Sequence, residues 1–222
     1  MFPENKKILI IDDHPMTVDG YIHLLSSNND AYTLEFETAN DCESAYHTIV
    51  QNKNTFFDFA IVDINLPPYP EKNIATGVDL AQLIRKTDPF CKIMIISMYK
   101  EPIWVNKVLK SINPEGFVSK NDINYKTFPE ICMKVLAGEF YYSESVMQGQ
   151  SYFIKRNMDW DEYDTRILLL ISQGIKTINL PDYLPLSLST IEKRKANIKK
   201  QLAFNEVTDQ DLIEIAKKIG LT

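Results

Sequence analysis

The first structured segment of the chain carries the stretch Lys7-Ile8-Leu9-Ile10-Ile11-Asp12-Asp13. Four consecutive apolar side chains closed by two acids are typical of a short strand that is buried on both faces of a parallel sheet. A helical pattern follows, because Val18, Ile22 and Leu25 recur on one helix face after Pro15. The stretch therefore predicts a strand that leads into a helix, the unit from which parallel α/β sheets are built.

Strand and helix patterns continue to alternate as far as residue 136. Further strands are predicted at 32–39, 57–62, 92–97 and 116–119, and further helices at 41–50, 77–85, 103–112 and 125–136. Alternation of this kind implies right-handed crossovers and helices on both faces of the sheet. We therefore predict an α/β fold with a five-stranded, doubly wound parallel sheet. Ligands of such sheets bind beyond the carboxyl ends of the strands, at the point where the strand order reverses.

Composition and charge exclude several classes of protein. Of the 222 residues, 45% are hydrophobic and only 7 are Gly, so the chain is neither disordered nor collagen-like. No apolar stretch approaches the roughly 18 residues of a membrane helix or forms a signal-peptide core, so we expect a cytoplasmic protein without a membrane span. The net charge of −6 argues against nonspecific nucleic-acid binding by the whole chain. The three cysteines form no CxxC pair and are expected to be buried thiols: Cys42, Cys91 and Cys132.

Polar side chains stand at the ends of four predicted strands: Asp12 and Asp13 after the first, Asp63 at the third, Ser97 at the fourth and Lys120 after the fifth. Three carboxylates that lie together repel one another unless a cation or a proton sits between them. Such oxygen ligands suit Mg²⁺, and serine and lysine side chains can bind phosphoryl oxygens. Each residue alone is explained better as a turn residue, a strand-end hydroxyl or a surface charge. Their conjunction at one sheet edge predicts a site that holds a phosphoryl group on a carboxylate, with Mg²⁺ as the cofactor.

Four blocks of the chain carry a family resemblance. They are Ile10-Ile11-Asp12-Asp13-His14-Pro15, Ala60-Ile61-Val62-Asp63-Ile64-Asn65-Leu66-Pro67, Ile95-Ile96-Ser97 and Gly116-Phe117-Val118-Ser119-Lys120. In order and spacing they resemble the conserved blocks of bacterial response-regulator receiver domains, which have a flavodoxin-like fold. The resemblance covers about residues 5–145 and implies that the chain is switched by phosphorylation.

The resemblance also implies how the acidic residues act. Asp63 is the phosphoacceptor, which attacks a phosphohistidine on a sensor histidine kinase. Asp13, Asp63 and the carbonyl oxygen of Asn65 ligate Mg²⁺, and Asp12 holds the metal through water. A carboxylate nucleophile with electrostatic stabilisation of the transferring phosphoryl group is the chemistry that the residues themselves indicate.

Three further residues are implied to sense the phosphoryl group. Ser97 moves to meet it, Lys120 pairs with it, and Phe117 is the aromatic side chain whose rotamer reports the state of the domain. Together these residues would carry the signal from the sheet edge to the surface of the receiver domain.

The chain departs from the family pattern at two places beside this site. In the family a glycine follows the phosphoacceptor at a shorter distance than the fourteen residues that separate Asp63 from Gly77. Residues 67–72 therefore form an insertion, which either gates access, contacts a partner or is a tolerated surface loop. Met98 occupies a position next to Ser97 that is usually small, and its bulk is expected to restrict access to the phosphoryl group.

The rest of the chain is predicted to be helical. A polar linker is expected at 146–157, followed by a helix that the segment Asp159-Trp160-Asp161 caps and that stops near Gly174. The last helix is predicted to start at a capping box in Thr208–Asp211. Its apolar stripe packs into the core or forms a dimer interface: Leu212, Ile215, Ala216 and Ile219. We predict a receiver domain at 1–145, the linker at 146–157, and a small all-α domain at 158–222.

The run from Leu184 to Leu202 resembles the recognition half of the LuxR/NarL-type helix-turn-helix, and the resemblance covers about residues 158–222. It implies that a helix from Thr190 enters the major groove of DNA. Three of its side chains would face base edges and the remaining basic ones would lie near phosphates. The implied DNA-binding residues are Thr190, Glu192, Lys193, Arg194, Lys195, Ala196, Lys199 and Lys200, of which Glu192, Lys193 and Ala196 would face the bases.

Pro181 departs from the helix-turn-helix pattern, because it falls where the preceding scaffold helix normally has Ala. Proline inside a helix loses a hydrogen bond and costs about 3 kcal/mol. If the helix begins at Asn179 or Leu180, Pro181 lies in its first turn and most of this cost disappears. Pro181 therefore leaves a second possibility, a domain that has the helix-turn-helix fold but no longer binds DNA.

These observations predict a response regulator of the LuxR/NarL type that is not an enzyme. Its expected partners are a sensor histidine kinase, DNA, and a second copy of itself bound through the receiver domain or the C-terminal helix. One alternative is a phospho-dependent protein-interaction regulator whose helix-turn-helix no longer binds DNA. An enzyme alternative, an aspartyl-phosphate phosphatase of the haloacid dehalogenase type, requires a second Asp two residues after the nucleophile, where this chain has Asn65.

The size of the Met98 side chain is expected to slow the loss of the phosphoryl group. If its thioether restricts the approach of water to phosphorylated Asp63, Met98→Ala should lose the phosphoryl group faster than the wild type. The decay of the phosphorylated form after removal of the phosphodonor measures this rate. An unchanged rate in Met98→Ala would show that this side chain does not protect the phosphoryl group.

Overall fold

The computed structural model of the chain describes residues 4–27, 32–51, 56–98, 102–156, 160–202 and 212. The chain divides into two compact units, one comprising residues 1–100 and 107–147 and the other 101–106 and 148–222. Among the described helices, none is long and apolar enough to cross a membrane. The expected helix with the stripe at 212–219 lies outside the described residues, except for Leu212.

The first unit is a parallel sheet with helices on both faces. The elements up to β6 are, in chain order, β1 (Glu4–Ile11), α1 (Pro15–Ser27), β2 (Tyr32–Ala39), α2 (Cys42–Gln51), β3 (Phe59–Asp63), α3 (Gly77–Thr87), β4 (Lys92–Ser97), α4 (Pro102–Ser111, whose residues 102–106 fall in the second unit), β5 (Gly116–Ser119), α5 (Thr127–Leu136) and β6 (Tyr141–Tyr142). The strand order is β2-β1-β3-β4-β5-β6, and every neighbouring pair is parallel. The predicted doubly wound α/β fold is therefore confirmed.

The sheet has six strands where the sequence predicts five. Tyr141 and Tyr142 pair with Gly116 and Phe117, and the backbone N–H of Ser143 donates to the carbonyl oxygen of Phe117 at 3.0 Å. A strand of two residues is too short to show a period of two in the sequence. The sixth strand therefore arises from tertiary pairing with β5.

The core explains why the central strands are apolar throughout. In β3 and β5 every residue is buried, as are Ile8–Ile11 of β1. Successive side chains of a strand point to opposite faces, so a sheet with helices on both sides buries both sets. On one face, side chains from β1, β3 and β4 pack with α1 and α5 in a single cluster that includes Leu25 and Phe128. The three cysteines are buried free thiols, as expected.

Residues 146–157, where the sequence predicts a linker, lie almost entirely in a helix, α6 (Glu144–Arg156). The Asp122 carboxylate holds the start of this helix, because it accepts hydrogen bonds from the backbone N–H and the hydroxyl of Ser145 at 2.9 and 2.8 Å. The hydroxyl of Ser143 also donates to Asp122, at 2.6 Å. A carboxylate at a helix N-terminus satisfies free N–H groups and interacts favourably with the helix dipole. Asp122 lies 23 residues before Ser145, so composition around the helix gives no sign of it.

The insertion after β3 is an ordered loop that packs on α2. Tyr69 and Ile74 pair through two backbone hydrogen bonds of 2.7 and 3.1 Å, which close a single 3₁₀ turn at Pro70–Lys72. The buried Tyr69 ring lies against Tyr46 of α2, with ring centroids 5.8 Å apart. The ammonium of Lys72 lies 5.6 Å from the centre of the Tyr46 ring. These contacts fix the insertion on the surface beside the site, whichever of its three expected roles applies.

Gly77 packs directly on the backbone of the candidate phosphoacceptor. Its N–H donates to the carbonyl oxygen of Ile64 at 2.9 Å. A Cβ atom at this position would lie 1.8 Å from the carbonyl oxygen of Asp63, well inside any permitted contact. Thr76 and Asp79 form a capping box that starts α3 at this glycine. The insertion therefore lengthens the loop without displacing the glycine that the close approach to Asp63 requires.

The second unit is all helical in its described part, with α7 (Glu162–Ser172), a 3₁₀ helix (Thr177–Asp182) and α8 (Leu188–Leu202). Within the predicted capping segment the cap of α7 is Asp161, whose carboxylate accepts the backbone N–H of Asp164 at 3.0 Å. Gly174 follows α7 with a φ of 86°, a conformation that favours glycine at a helix end. The unit packs around one apolar cluster: Trp160, Ile167, Leu168, Ile171, Leu180, Leu184, Ile191, Ile198 and Leu212. Leu212 is thus a core residue.

Two details of this unit differ from the expectation. The scaffold element is a 3₁₀ helix that begins at Thr177, so Pro181 lies inside it and not in its first turn. A helix this short contains few hydrogen bonds, so the missing N–H of Pro181 removes only one of them. The recognition helix starts at Leu188, two residues before Thr190, because the Ser187 hydroxyl accepts the backbone N–H of Thr190 at 3.3 Å and caps the helix.

The contact of Gly77 with Asp63 can be tested against a second glycine of the same unit. Gly77→Ala should destabilise the chain by about 1–3 kcal/mol or more, because backbone must move to admit the methyl group. Gly20 lies inside α1, and a methyl group added there would meet nothing within 4 Å. Gly20→Ala should therefore stabilise by about 0.5–1 kcal/mol. Urea unfolding of both variants measures the two effects, and equal stability of Gly77→Ala and wild type would contradict the close packing.

Candidate functional site

The strand order places the acidic residues at the point where the sheet changes direction. β1 and β3 are neighbours, and their register pairs Ile11 with Val62 at the carboxyl ends of both strands. The next residues of the two strands, Asp12 and Asp63, therefore lie side by side. β2 follows on one side of this pair and β4 on the other, so the crevice between β1 and β3 is the topological switch point at which such folds bind ligands.

Lys120 joins the two carboxylates. Its Nζ atom lies 2.8 Å from Oδ2 of Asp12 and 2.7 Å from Oδ2 of Asp63. Its backbone N–H donates to the carbonyl oxygen of Ser97 at 2.8 Å, which fixes the loop after β5 to the end of β4. The side chains predicted from three different strand ends thus meet at one ammonium group.

Burial controls the electrostatics of this cluster. Burial raises the pKa of Asp63, and the hydrogen bond from Lys120 only partly offsets this rise. Burial also opposes charge on Lys120, but the hydrogen bonds to Asp12 and Asp63 outweigh it and the pKa of the lysine is raised. Three carboxylates, with Asp13, against one ammonium leave a net formal charge of −2, which a divalent cation would neutralise.

The donor set fits a divalent metal ion. Oδ1 of Asp13 is buried and accepts no hydrogen bond from the described residues, although burial without a partner is costly for a carboxylate oxygen. One ligand atom from each of Asp12, Asp13, His14 and Asp63 lies within 4.8 Å of the others. Hard oxygen donors at this separation suit Mg²⁺, as the sequence predicts. The backbone N–H of Asn65 lies 3.4 Å from Oδ1 of Asp63, which brings the fourth predicted ligand residue to the same place.

Ser97 and Phe117 lie on one face of the sheet. The register of β4 and β5 pairs Ile95 with Phe117 and Ser97 with Ser119, so the Ser97 and Phe117 side chains are one pleat apart on adjacent strands. Both residues are fully buried, whereas the neighbouring Met98 is 59% exposed. A movement of Ser97 towards a phosphoryl group would therefore change the space available to the Phe117 ring.

The second unit exposes one side of α8. Glu192, Lys193, Ala196 and Lys200 are exposed, while Ile191 and Ile198 are buried in the core. This division is the one expected for a helix with a packed face and a solvent face. The three side chains expected to face base edges all lie on the exposed side.

Two basic residues expected to lie near DNA phosphates are engaged within the protein. Nη1 of Arg194 lies 2.8 Å from Asp161 and 3.0 Å from Asp164, and Nζ of Lys195 lies 2.7 Å from the Thr177 hydroxyl. Asp164 is buried, and burial raises its pKa while the Arg194 guanidinium opposes the rise. Arg194 therefore compensates a buried charge at the start of α7, a tertiary contact that the local basic composition of α8 does not reveal.

His14, to which the sequence assigns no role, lies within the acidic cluster. Nδ1 of His14 lies 2.8 Å from Oδ1 of Asp13 and 3.2 Å from Oδ1 of Asp12. Its position directly after the acidic pair is the only sequence signal of this. Asp122 and Ser143 likewise have no role predicted from the sequence, because their contact joins residues 21 positions apart.

The sequence of the chain is similar to those of known proteins. The family model of the response regulator receiver domain matches residues 8–125, more than half of the chain. The oxygen regulatory protein NreC of Staphylococcus epidermidis is 27% identical over 225 residues, which cover 96% of this chain and 97% of NreC. NreC of Staphylococcus carnosus is 26% identical, with the same coverage of both chains.

Solved structures resemble both units. RcsB from Salmonella enterica serovar Typhimurium, bound to a promoter in the presence of the phosphomimetic BeF₃⁻, matches with a TM-score of 0.65 at 19% identity. The match covers 97% of this chain and 100% of the RcsB chain. A structure of two RcsB dimers bound to two parallel DNAs has a TM-score of 0.62 at 20% identity, with the same coverage. At this identity the likeness establishes the two-part fold.

The Arg194 contacts generate a stability prediction that is separate from DNA binding. Arg194→Ala leaves Asp164 buried without its cation and should destabilise the protein by about 1–3 kcal/mol. Lys193→Ala removes a neighbouring positive charge from the exposed face and should leave stability within about 0.5 kcal/mol of the wild type. Thermal unfolding of both variants at one pH compares them. Equal stability of the two variants would contradict the structural role of Arg194.

Proposed function

From the premise that this chain belongs to the response regulator receiver domain family, we propose that it is a two-component response regulator of the LuxR/NarL type. A sensor histidine kinase phosphorylates Asp63, and the helical unit then acts as a DNA-binding transcriptional regulator. The observation that carries this proposal is the bridge from Lys120 to both Asp12 and Asp63 at the switch point of the sheet.

The chemistry requires a carboxylate nucleophile and charge neutralisation. An oxygen of Asp63 attacks the phosphorus of the phosphohistidine, the P–N bond breaks, and the electron pair and a proton go to the imidazole nitrogen that leaves. The Lys120 ammonium already lies 2.7 Å from Asp63, so it is placed to pair with the phosphoryl oxygens without a rearrangement of the sheet. Once the acyl phosphate forms, Lys120 faces a larger negative charge than before.

The residues that would hold Mg²⁺ are Asp13, Asp63 and the Asn65 carbonyl oxygen, with Asp12 acting through water. When bound, the metal neutralises charge on the transferring phosphoryl group and orients it. The buried Oδ1 of Asp13 supports this assignment, because it accepts no hydrogen bond from the described residues and a bound cation would satisfy it.

The signal passes from the phosphoryl group through Ser97 and Phe117. The Ser97 hydroxyl donates to a phosphoryl oxygen, and the Phe117 ring fills the space that the serine leaves. The backbone hydrogen bond from Lys120 to Ser97 couples the ends of β4 and β5. Ser97 and Phe117 therefore both respond to phosphorylation of Asp63. The altered surface of the receiver domain then favours DNA binding or pairing with a second copy.

The exposed side of α8 supports the DNA-binding proposal. Glu192, Lys193 and Ala196 lie there with Lys200, and Lys199 is half-buried at the same end of the helix. We assign base contacts to the first three and phosphate contacts to the two lysines, while Arg194 acts within the protein. Lys195 contacts Thr177, and Thr190 contacts Ser187 at 2.8 Å between hydroxyl oxygens, so these two position the helix.

The proposed regulator has two domains and binds DNA as a homodimer. The proposed receiver domain spans 1–145, the linker 146–157 and the helix-turn-helix domain 158–222, and α6 carries most of the linker. The structures of RcsB dimers on DNA support a homodimer as the binding form. The cytoplasmic location, and the expectation that the chain is not an enzyme, stay predictions.

A second function is favoured by one observation. The scaffold element is a 3₁₀ helix with Pro181 inside it, and a change in the scaffold element alters how a recognition helix meets the groove. Under this alternative the helical unit binds a protein partner when Asp63 is phosphorylated.

Fluorescence polarisation of the full chain on genomic DNA fragments separates the two functions. With acetyl phosphate and Mg²⁺ present, binding should strengthen, and Asp63→Asn should not respond to the phosphodonor. Lys193→Ala combined with Lys200→Ala should weaken binding and flatten its salt dependence, since each phosphate contact adds about one unit to the slope.

Two controls make this measurement specific. Glu144→Gln changes an exposed charge outside α8 and should bind DNA as the wild type does. Phosphorylation of Asp63 is followed in parallel by mass. A chain that is phosphorylated but binds no DNA at any salt concentration would overturn the DNA-binding function and favour a protein partner.

A further inference from the structure

The start of α6 is tied to the loop that carries Lys120. Asp122 follows Lys120 in this loop, and its carboxylate accepts the hydroxyl of Ser143 at 2.6 Å. It also accepts the hydroxyl and the backbone N–H of Ser145, at 2.8 and 2.9 Å. We call these contacts among Asp122, Ser143 and Ser145 the α6 clasp.

We propose that phosphorylation of Asp63 loosens the α6 clasp and thereby transmits the signal to the first turn of α6. The inference rests on the proposed phosphorylation of Asp63, and it adds a route for the signal besides Ser97 and Phe117. Asp122 is a positioning residue in this route, because it acts through the loop of Lys120.

Ser143 is held by β5 as well as by Asp122. Its backbone N–H donates to the carbonyl oxygen of Phe117 at 3.0 Å, and its hydroxyl accepts the backbone N–H of Ser119 at 3.1 Å. Ser119 and Ser143 are both buried, so water does not readily replace these partners. Ser143 therefore contacts the chain on both sides of Lys120, and a shift of the loop changes its hydrogen bonds.

The loop between Ser119 and Asp122 is a closed turn. The backbone N–H of Asp122 donates to the carbonyl oxygen of Ser119 at 2.9 Å. The Lys120 side chain leaves this turn and ends 2.7 Å from Asp63. A turn that its own hydrogen bond closes moves as one piece, so a displacement of Lys120 reaches Asp122.

The geometry around Asp63 gives the direction of the effect. The Lys120 ammonium lies 2.8 Å from Asp12 and 2.7 Å from Asp63, which leaves no space for a phosphoryl group between ammonium and carboxylate. Lys120 must therefore move outwards to pair with the phosphoryl oxygens. Hydrogen bonds weaken steeply away from their favoured distance and angle, so this movement weakens the clasp at the other end of the turn.

The first turn of α6 depends on the clasp. The first N–H groups of a helix have no partner inside it, and Asp122 supplies one for Ser145. The helix begins in the first compact unit and continues into the second. A looser first turn is therefore a change in the segment that connects the two units.

Hydrogen exchange of the full chain, with and without Mg²⁺ and the phosphoryl analogue BeF₃⁻, tests the coupling. In the wild type, BeF₃⁻ should speed exchange of the Ser145 N–H at least about tenfold. In Asp122→Ala this N–H should exchange fast in both states, because the carboxylate that BeF₃⁻ displaces is absent.

The affinity for BeF₃⁻ is a second readout, since coupling between two equilibria is reciprocal. If BeF₃⁻ loosens the clasp, Asp122→Ala should bind BeF₃⁻ at least about fivefold more tightly than the wild type. Simple damage to the fold would weaken binding. Ser145→Ala removes only one hydroxyl from the clasp and should strengthen binding by a smaller factor.

Asp41 provides a matched control, because it holds the start of α2 in the same way. Its carboxylate accepts the backbone N–H and the hydroxyl of Ser44, both at 2.7 Å. Asp41→Ala should speed exchange at the start of α2. It should leave the response of the Ser145 N–H and the affinity for BeF₃⁻ as in the wild type.

The outcomes separate this inference from the proposed function, because the mass of the chain after treatment with acetyl phosphate reports phosphorylation independently. A phosphorylated chain whose Ser145 exchange ignores BeF₃⁻ overturns the role of the clasp and leaves the receiver function intact. An affinity for BeF₃⁻ that Asp122→Ala leaves unchanged or weakens does the same. A wild type that neither takes up a phosphoryl group nor binds BeF₃⁻ overturns both.

Discussion

The Lys120 ammonium between Asp12 and Asp63 is the interaction on which the rest of the first unit depends. Two buried carboxylates at adjacent strand ends repel each other, and burial raises the pKa of Asp63. One cation 2.7–2.8 Å from both keeps the pair together in the apolar sheet. The same ammonium also lies where a phosphoryl group on Asp63 would need a counter-charge, so the contact that stabilises the resting site prepares it for the reaction.

The backbone around this contact is fixed from three sides. The register of β1 and β3 brings Asp12 and Asp63 together, and the backbone hydrogen bond from Lys120 to Ser97 holds the end of β4 beside the end of β5. Gly77 lies against the Asp63 carbonyl oxygen, so nothing larger fits there. The insertion at 67–72 is accommodated because Tyr69 pairs with Ile74, and because Tyr69 and Lys72 contact Tyr46 of α2.

The second unit shows that positive charges close together in sequence take different roles. Lys193 points to solvent, whereas Arg194, its neighbour, neutralises Asp164 at the start of α7. A helix turns by about 100° per residue, so consecutive side chains face different surroundings. The α7 capping box holds two acids at one helix start, and Arg194 offsets the free-energy cost of their repulsion and burial.

The amino-acid sequence alone predicted the α/β alternation, the parallel sheet, and the strand ends that carry Asp12, Asp63 and Lys120. It did so because the period of apolar residues and the positions of polar residues after a strand are local properties. It did not determine β6, the helical state of residues 144–156, the 3₁₀ geometry around Pro181, or the engagement of Arg194. β6, the start of α6 and the ion pairs of Arg194 each depend on a partner distant in sequence, namely β5, Asp122 and the start of α7. Only the folded chain decides such contacts, because their free energy exists only when both partners are brought together.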